Sequence, residues 1–524
     1  MSLFIKKPIS KLIVEADDSE KGLKRTIGPG NLIALGIGAI IGAGLFVRTA
    51  AAAAQHAGPS VTLGFIVAAI GCALAGLCYA EFASMIPIAG SAYTYSYATM
   101  GEFVAWIIGW DLILEYAIGA ATVGIAWSEY FTKLMRIFGI NVPYQWSHSP
   151  FEKITDATTG AVTHGMMNIP ALFIILVLTM LLIRGTKGST LVNAFIVIVK
   201  VAIVLIVIAI GWQYIVPANH ANFIPPPSIY VDPEGVSHNF GGILGILGAA
   251  GVVFFAFIGF DAVSTAAQEA KNPKRDMPIG ILGSLAICTV LYILFSYVLT
   301  GIADVNTFRT VGKEASVSYA VEHMSGSLVN GIWVAKYQWL SNMITVAILA
   351  GFSSVILVML MGQSRVFYSM SRDGLVPKVF SDVHPKHRTP YKSNWIFFLF
   401  VGAFAAFVPG DIVGDMTSIG TLFAFILVCA GIWILRVKNP EIPRQFRTPL
   451  VPLVPILGIL VCSAMIYGLG WTNWARLLVW LVIGFVIYFG YSRRNSRLNN
   501  PDKYKDEDKN QIPTVPPIEP PTKD

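Results

Sequence analysis

Two glycine-broken apolar segments constrain this chain more than any other feature. The first reads Gly36-Ile37-Gly38-Ala39-Ile40-Ile41-Gly42-Ala43-Gly44. The second is Gly248-Ala249-Ala250-Gly251 running into Phe254-Phe255-Ala256-Phe257-Ile258-Gly259-Phe260-Asp261. Each interrupts a stretch long enough to cross a bilayer, and the two lie about 215 residues apart. Glycine weakens a helix, and backbone opened at membrane depth persists only where it is buried in protein or lines a cavity. Two such breaks at corresponding positions of two halves mark a binding site built from interrupted helices.

The surrounding composition agrees with a membrane setting. Of 524 residues, 55% are hydrophobic and 13% charged, with a mean hydropathy of +0.65, whereas soluble domains carry about 25% charged residues. Runs of about 20 apolar residues mark spans, here at 31–50, 61–86, 100–127, 167–184, 189–213, 241–267, 277–301, 335–366, 393–409, 415–436, 450–470 and 472–492. The expected fold is an all-α integral membrane protein of twelve helices. Helices 1 and 6 are discontinuous, and two five-helix repeats of inverted topology (30–213 and 241–436) precede two added helices at 450–492. Residues 30–492 form the membrane domain. Residues 1–29 are a polar, basic N-terminal segment without the apolar core of a cleavable signal, and the Lys-, Asp-, Asn- and Pro-rich 493–524 reads as a disordered tail.

Of the 37 lysines and arginines, only Arg48, Lys133, Arg136, Lys153, Arg309, Lys313, Lys336 and Arg476 fall in segments outside the membrane when the N-terminus is inside. Lys200 and Arg365 lie within spans, and the remaining 27 are inside. The positive-inside rule therefore places both termini in the cytoplasm. The net charge of +7 reflects this topology and gives no reason to expect a nucleic-acid partner. Trp106, Trp212, Trp333 and Trp474 read as an interfacial belt. The five cysteines read as small buried hydrophobes, and the eight histidines lack metal-ligand spacing, so no metal is expected. No Ser/His/Asp set or phosphate loop stands at membrane depth, and no enzymatic function is expected. In the outside loop 302–334, Ser316–Met324 is helix-like, suited to a lid or to an inert turn.

The two breaks differ in polarity. Around Ile40 and Ile41, the first offers the amides of Gly42, Ala43 and Gly44, and free helix N-termini attract carboxylates. The second offers carbonyls at Phe255, Ala256 and Ile258, suited to an ammonium group. Together they would clamp the two charged groups of an α-amino acid. The competing reading of Gly38-x-x-x-Gly42 is close helix packing. Lys200 stands about eleven residues, or roughly 17 Å, inside the fifth span. A charge at such depth is costly and usually functional, and a lysine that gains and loses a proton there can serve as the coupling cation. A lysine permanently paired with a carboxylate, or one that snorkels to the interface, is the alternative. Ser353 and Ser354 in the eighth span are candidate partners for Lys200. Asp111 and Glu115 share a helix face by i, i+4 spacing, suited to a cationic side chain, a proton relay or a structural hydrogen bond. Asp261 follows the second break and would touch substrate or cap the reopened helix. Glu81, near the cytoplasmic end of the second span, reads as structural.

Four stretches, GIGAIIGAGLFV (36–47), YAEFASMIPIAGSAYTYSYATMGEFVAWIIGWDLILEY (79–116), FFAFIGFDAVSTAAQEAKNPKRDMPIGI (254–281) and GQSRVFYSMSRDGLVPKVFSDVHPKHRTPY (362–391), resemble the cationic amino acid transporter family of the amino acid–polyamine–organocation superfamily. The likeness extends over about 22–492. It implies the five-plus-five fold and amino acid uptake with the proton as coupling ion and no other cofactor. It also implies carboxylate binding at Ile41–Gly44, ammonium binding at Phe255, Ala256 and Ile258, a sodium-replacing role for Lys200, and the third-helix acid at Glu115. Ala43 stands where some relatives have a hydroxyl residue, which leaves backbone contacts alone for the carboxylate. Implied partners are an α-amino acid (cationic or small neutral), membrane lipid and, as in some relatives, a small single-span subunit. The implied location is the bacterial inner membrane. An exchanger without proton coupling and an amino-acid-binding membrane sensor are the rival readings.

Overall fold

A computed structural model describes residues 3–8, 27–85, 91–155, 162–184, 189–232, 235–265, 270–310, 316–329, 332–385, 387 and 389–504. In lipid every backbone amide and carbonyl must be satisfied within its own segment, which a helix achieves unaided. Among the described residues, seven helices are long and apolar enough to cross a bilayer: Gly44–Met85, Glu102–Ile137, Ile196–Tyr214, Pro273–Ile302, Gln338–Arg372, Gly410–Lys438 and Trp471–Asn495. Five shorter apolar helices, Pro29–Ile40, Ile169–Arg184, Gly242–Phe257, Tyr391–Phe407 and Leu453–Gly468, fall at the other expected spans. The chain is a multi-pass, helical membrane protein.

The elements that position the site are α1 (Pro29–Ile40), α2 (Val61–Met85), α3 (Glu102–Ile137), α4 (Ser189–Gly211), α5 (Gly242–Val253), α6 (Pro273–Ile302), α7 (Gln338–Arg372) and α8 (Gly410–Lys438). α6 packs along both α1 and α2, and α5 along α2. α7 packs along α3 and α4, and α4 also touches α1. The apolar window of α3 is 78% buried, against 22% for Trp471–Asn495, which puts the third helix at the centre and the last at the lipid-facing edge.

Among the described residues, three antiparallel hairpins occupy loops between the apolar helices: β1–β2 (Lys153–Thr155, Val162–His164), β3–β4 (Ser228–Val231, Ser237–Phe240) and β5–β6 (Gly326–Val329, Ile332–Ala335). The helix-like stretch at 316–324 is a helix over Ser316–His323. It is packed rather than an inert turn: Val317, Ala320 and Val321 are buried, and Glu322 pairs with Lys133 at 2.7 Å and accepts from Ser341 at 2.6 Å.

Two expectations change. Trp106 is 1% exposed and donates its indole N–H to Gly484 O at 3.0 Å, so it is a core residue rather than part of an interfacial belt. Residues 493–504, assigned to a disordered tail, are folded onto the body. Ser496 donates to the buried Glu102 carboxylate, Asn499 does so at 3.0 Å, and the Arg497 amide donates to Asp373 O at 3.0 Å. Composition hides this because the docking is polar: Glu102 opens a helix in a buried setting and needs donors. The rest of the tail, 505–524, lies outside the described residues, as do 9–26 of the N-terminal segment. Glu81 is structural: it is fully buried and accepts from Arg436 Nε at 2.8 Å, Arg436 Nη2 at 2.9 Å and the Thr448 amide at 2.8 Å. The five cysteines are free and buried.

Candidate functional site

Both glycine-rich segments are interrupted helices. α1 ends at Ile40, and Ile41 turns extended at φ −72°, ψ 102°. A new helical segment then starts as Gly42 O accepts the Leu45 amide at 3.2 Å, with a π-helical turn over Gly44–Arg48. The amides that open this second segment have no carbonyl one turn earlier in their own helix. α5 tightens into a 3₁₀ turn at Phe254–Phe257, Ile258 is extended at φ −58°, ψ 135°, and Gly259 adopts φ +111°. Helix resumes at Ala262–Thr265.

The breaks meet face to face because glycine permits it. A Cβ at Gly44 would stand 2.1 Å from Ala256 Cα, and one at Gly259 would stand 3.0 Å from Ala39 O. Ile40, Ile41, Gly42, Ala43, Gly44, Phe255, Ala256, Ile258 and Asp261 are all buried. The carbonyls are less free than the sequence reading had them. Phe255 O accepts the Ile258 amide at 3.3 Å and Ala256 O accepts the Tyr292 hydroxyl at 2.9 Å. Ile258 O has no donor among the described residues.

Lys200 is 2% exposed and stands at the end of α1. Its Nζ donates to Gly38 O and Ile41 O, both at 2.9 Å, and to Ser354 Oγ at 3.2 Å. The alkyl stem passes over Gly351, where a Cβ would lie 2.7 Å from Lys200 Cε. The alternative of a permanent carboxylate partner is not what the structure shows, because all three acceptors are uncharged. Ser353 serves elsewhere, accepting the Trp127 indole N–H at 3.1 Å and donating to Leu349 O at 2.8 Å.

Asp111 and Glu115 are fully buried on α3. The helix widens into a π turn over Leu114–Ile118, and such bulges recur at functional sites; Asp111 and Glu115 remain within electrostatic reach of each other. Glu115 neighbours Asp261, and Asp261 accepts the Tyr116 hydroxyl. The site thus holds two clusters, Lys200 with Ser354 and the α1 carbonyls, and Glu115 with Asp261 and Tyr116.

Three residues escaped the sequence reading. Tyr292, fully buried on α6, reaches Ile40 O at 3.0 Å as well as Ala256 O. Tyr116 holds Asp261. Arg48, counted only as an outside charge, is 4% exposed and pairs with Asp411 at 3.2 Å and with Asp415, tying the segment after the first break to α8. A tyrosine or arginine inside an apolar run must find a partner; which one is a tertiary fact.

Chemically, opened amides and carbonyls side by side, with a lysine ammonium on the adjoining helix end, suit a small zwitterion and a movable cation. The comparisons with known proteins give the family. A family model described as "Amino acid permease" matches residues 27–491. The chain is 44% identical over 498 residues to the branched-chain amino acid permease BcaP of Bacillus subtilis, covering 95% of this chain and 99% of that one. It is 40% identical, with the same coverage, to the methylthioribose transporter of the same organism. It is 27% identical to the vacuolar cationic amino acid transporter 4 of Arabidopsis thaliana, covering 95% and 97%. These relatives are transporters rather than enzymes, and the chain belongs to the amino acid permease family.

Proposed function

We propose that the protein is a proton-coupled symporter that carries α-amino acids into the cell, with branched-chain amino acids as its foremost substrates. It works by alternating access, in the plasma membrane and with both termini in the cytoplasm. The reading takes all twelve apolar helices as spans, the first ten forming two inverted repeats. The substrate carboxylate meets the amides of Gly42, Ala43 and Gly44, and the ammonium meets the carbonyls of Ala256 and Ile258. Phe255, Glu115 and Asp261 complete the surroundings.

The observation that carries the proposal is Lys200 Nζ held by Gly38 O, Ile41 O and Ser354 Oγ. A cation at this junction clamps the end of α1 to α4 and α7. An ammonium that loses a proton becomes a neutral amine with two N–H donors and no charge, and its hold on two carbonyls weakens accordingly. Protonation from outside would favour the clamped state. Proton loss to the cytoplasm would loosen α1 and free the substrate. The branched-chain assignment rests on the name of the 44% identical relative, whose whole length the chain matches.

The test is uptake into proteoliposomes of labelled leucine, lysine and alanine, with and without an inward proton gradient. The expected result is accumulation of leucine that depends on the gradient and is lost in Lys200→Met. Gradient-independent uptake stimulated by preloaded substrate would instead establish an exchanger. Binding without accumulation would establish a sensor. Accumulation of lysine in preference to leucine would overturn the substrate assignment while leaving the coupling intact.

A further inference from the structure

A phenol has one proton to donate and lone pairs to accept with, yet Tyr292 Oη stands 3.0 Å from Ile40 O and 2.9 Å from Ala256 O. One carbonyl ends α1 at the first break and the other lies in the second. The ring cannot follow either: it is fully buried, edge-on to Phe257 with centroids 5.2 Å apart and tilted against Phe65 at 5.6 Å. The oxygen is therefore fixed, while the proton turns about the C–O bond between two acceptors. Lys200 already claims Gly38 O and Ile41 O, so Tyr292 and Lys200 hold adjoining carbonyls at the end of α1.

We infer that Tyr292 is a positioning residue that transmits occupancy of the Ala256 carbonyl by an α-ammonium group to the Ile40 carbonyl of α1, an inference that rests on reading the paired breaks as the amino acid clamp. In the empty site the hydroxyl proton is shared, and neither carbonyl receives a full hydrogen bond. A charged donor competes for an acceptor about twice as effectively as a neutral one, so an arriving ammonium takes Ala256 O. The hydroxyl proton then turns wholly to Ile40 O, and the phenol lone pairs face the ammonium. α1 is thereby pinned to α6 when an amino acid is bound and held loosely when none is. No covalent bond changes, and one proton reorients. The device distinguishes an ammonium from any neutral group at the same position, because a neutral donor lacks the charge needed to displace the hydroxyl.

The experiment pairs the protein hydroxyl with the ligand ammonium. Purified wild type and Tyr292→Phe are titrated with leucine and with 2-hydroxyisocaproate, which replaces the ammonium by a hydroxyl. The wild type should prefer leucine strongly, and that preference should shrink by about tenfold or more in Tyr292→Phe, within the range of directly coupled partners. A purely structural role for Tyr292 would weaken both ligands alike, so a preference unchanged within about twofold overturns the inference. Should Tyr292→Phe fail to fold, backbone hydrogen exchange in the wild type decides the matter. Leucine should slow exchange over residues 36–47 several-fold more than saturating 2-hydroxyisocaproate, and equal slowing overturns the inference. A wild type that binds no α-amino acid overturns the reading of the clamp itself, and this inference with it.

Discussion

Gly44→Ala tests the face-to-face contact of the two breaks with a single methyl group. Gly44 has helical backbone angles, so alanine incurs no conformational penalty and gains up to about 1 kcal/mol in helix propensity. Space is the only opposing term. The new Cβ would lie 2.1 Å from Ala256 Cα, 2.5 Å from its amide nitrogen and 2.6 Å from its Cβ, and no rotamer relieves contact with backbone. Carbon atoms pack at about 3.5–4.0 Å, so the breaks must separate by about 1.4 Å or more. Overpacking of this kind costs about 1–3 kcal/mol, which outweighs the propensity gain. Separation on that scale also carries the Gly42–Gly44 amides out of hydrogen-bond range of a carboxylate whose ammonium stays on Ala256 and Ile258. Losing one hydrogen bond to a charged group removes about 1.5–3 kcal/mol, or about 10- to 150-fold in affinity. Leucine titration by calorimetry measures this, with Gly490→Ala, where a Cβ meets nothing within 4 Å, as the control. If Gly44→Ala folds with an unchanged unfolding temperature and binds leucine within about threefold of wild type, the paired breaks are a packing device and the clamp reading fails.

Further outcomes follow from the other clusters. Lys200→Met keeps the stem over Gly351 but leaves Gly38 O and Ile41 O without their donor; leucine accumulation in proteoliposomes should be lost at every external pH, whereas the wild type should accumulate more as external pH falls. Glu81→Gln removes the buried negative charge that faces both Arg436 and Arg444, and losing a hydrogen bond to a charged group costs about 1.5–3 kcal/mol. The unfolding temperature should fall markedly while leucine affinity stays within about twofold; unchanged stability would refute the structural role given to Glu81. Asp415→Asn removes one of the two carboxylates on Arg48 and should speed release of bound leucine to the outside several-fold, read by filter-binding dissociation. Release at the wild-type rate would show that the Arg48 pair does not hold the segment after the first break closed.

The apolar runs and the two glycine clusters were enough to place the helices and to locate where two of them open, because bilayer thickness and backbone hydrogen bonding act locally along a chain. Lys200 was legible for the same reason: a charge deep in an apolar run declares its cost without any knowledge of its neighbours. What the one-dimensional pattern carried less well was anything set by partners distant in sequence. Glu115 came to lie beside Asp261 from another helix, Trp106 turned inward toward Gly484, and residues 493–504 docked on Glu102 through polar contacts that composition does not register. Tyr292 is the clearest instance. Its hydroxyl lies 252 residues in sequence from one acceptor and 36 from the other, and nothing in its own apolar run says which carbonyls it will meet. The sequence by itself therefore determined that this protein opens two helices inside a membrane. Only the tertiary structure decided what closes on what, because hydrogen-bond geometry is settled by atoms brought within about 3 Å and sequence separation carries no such distance.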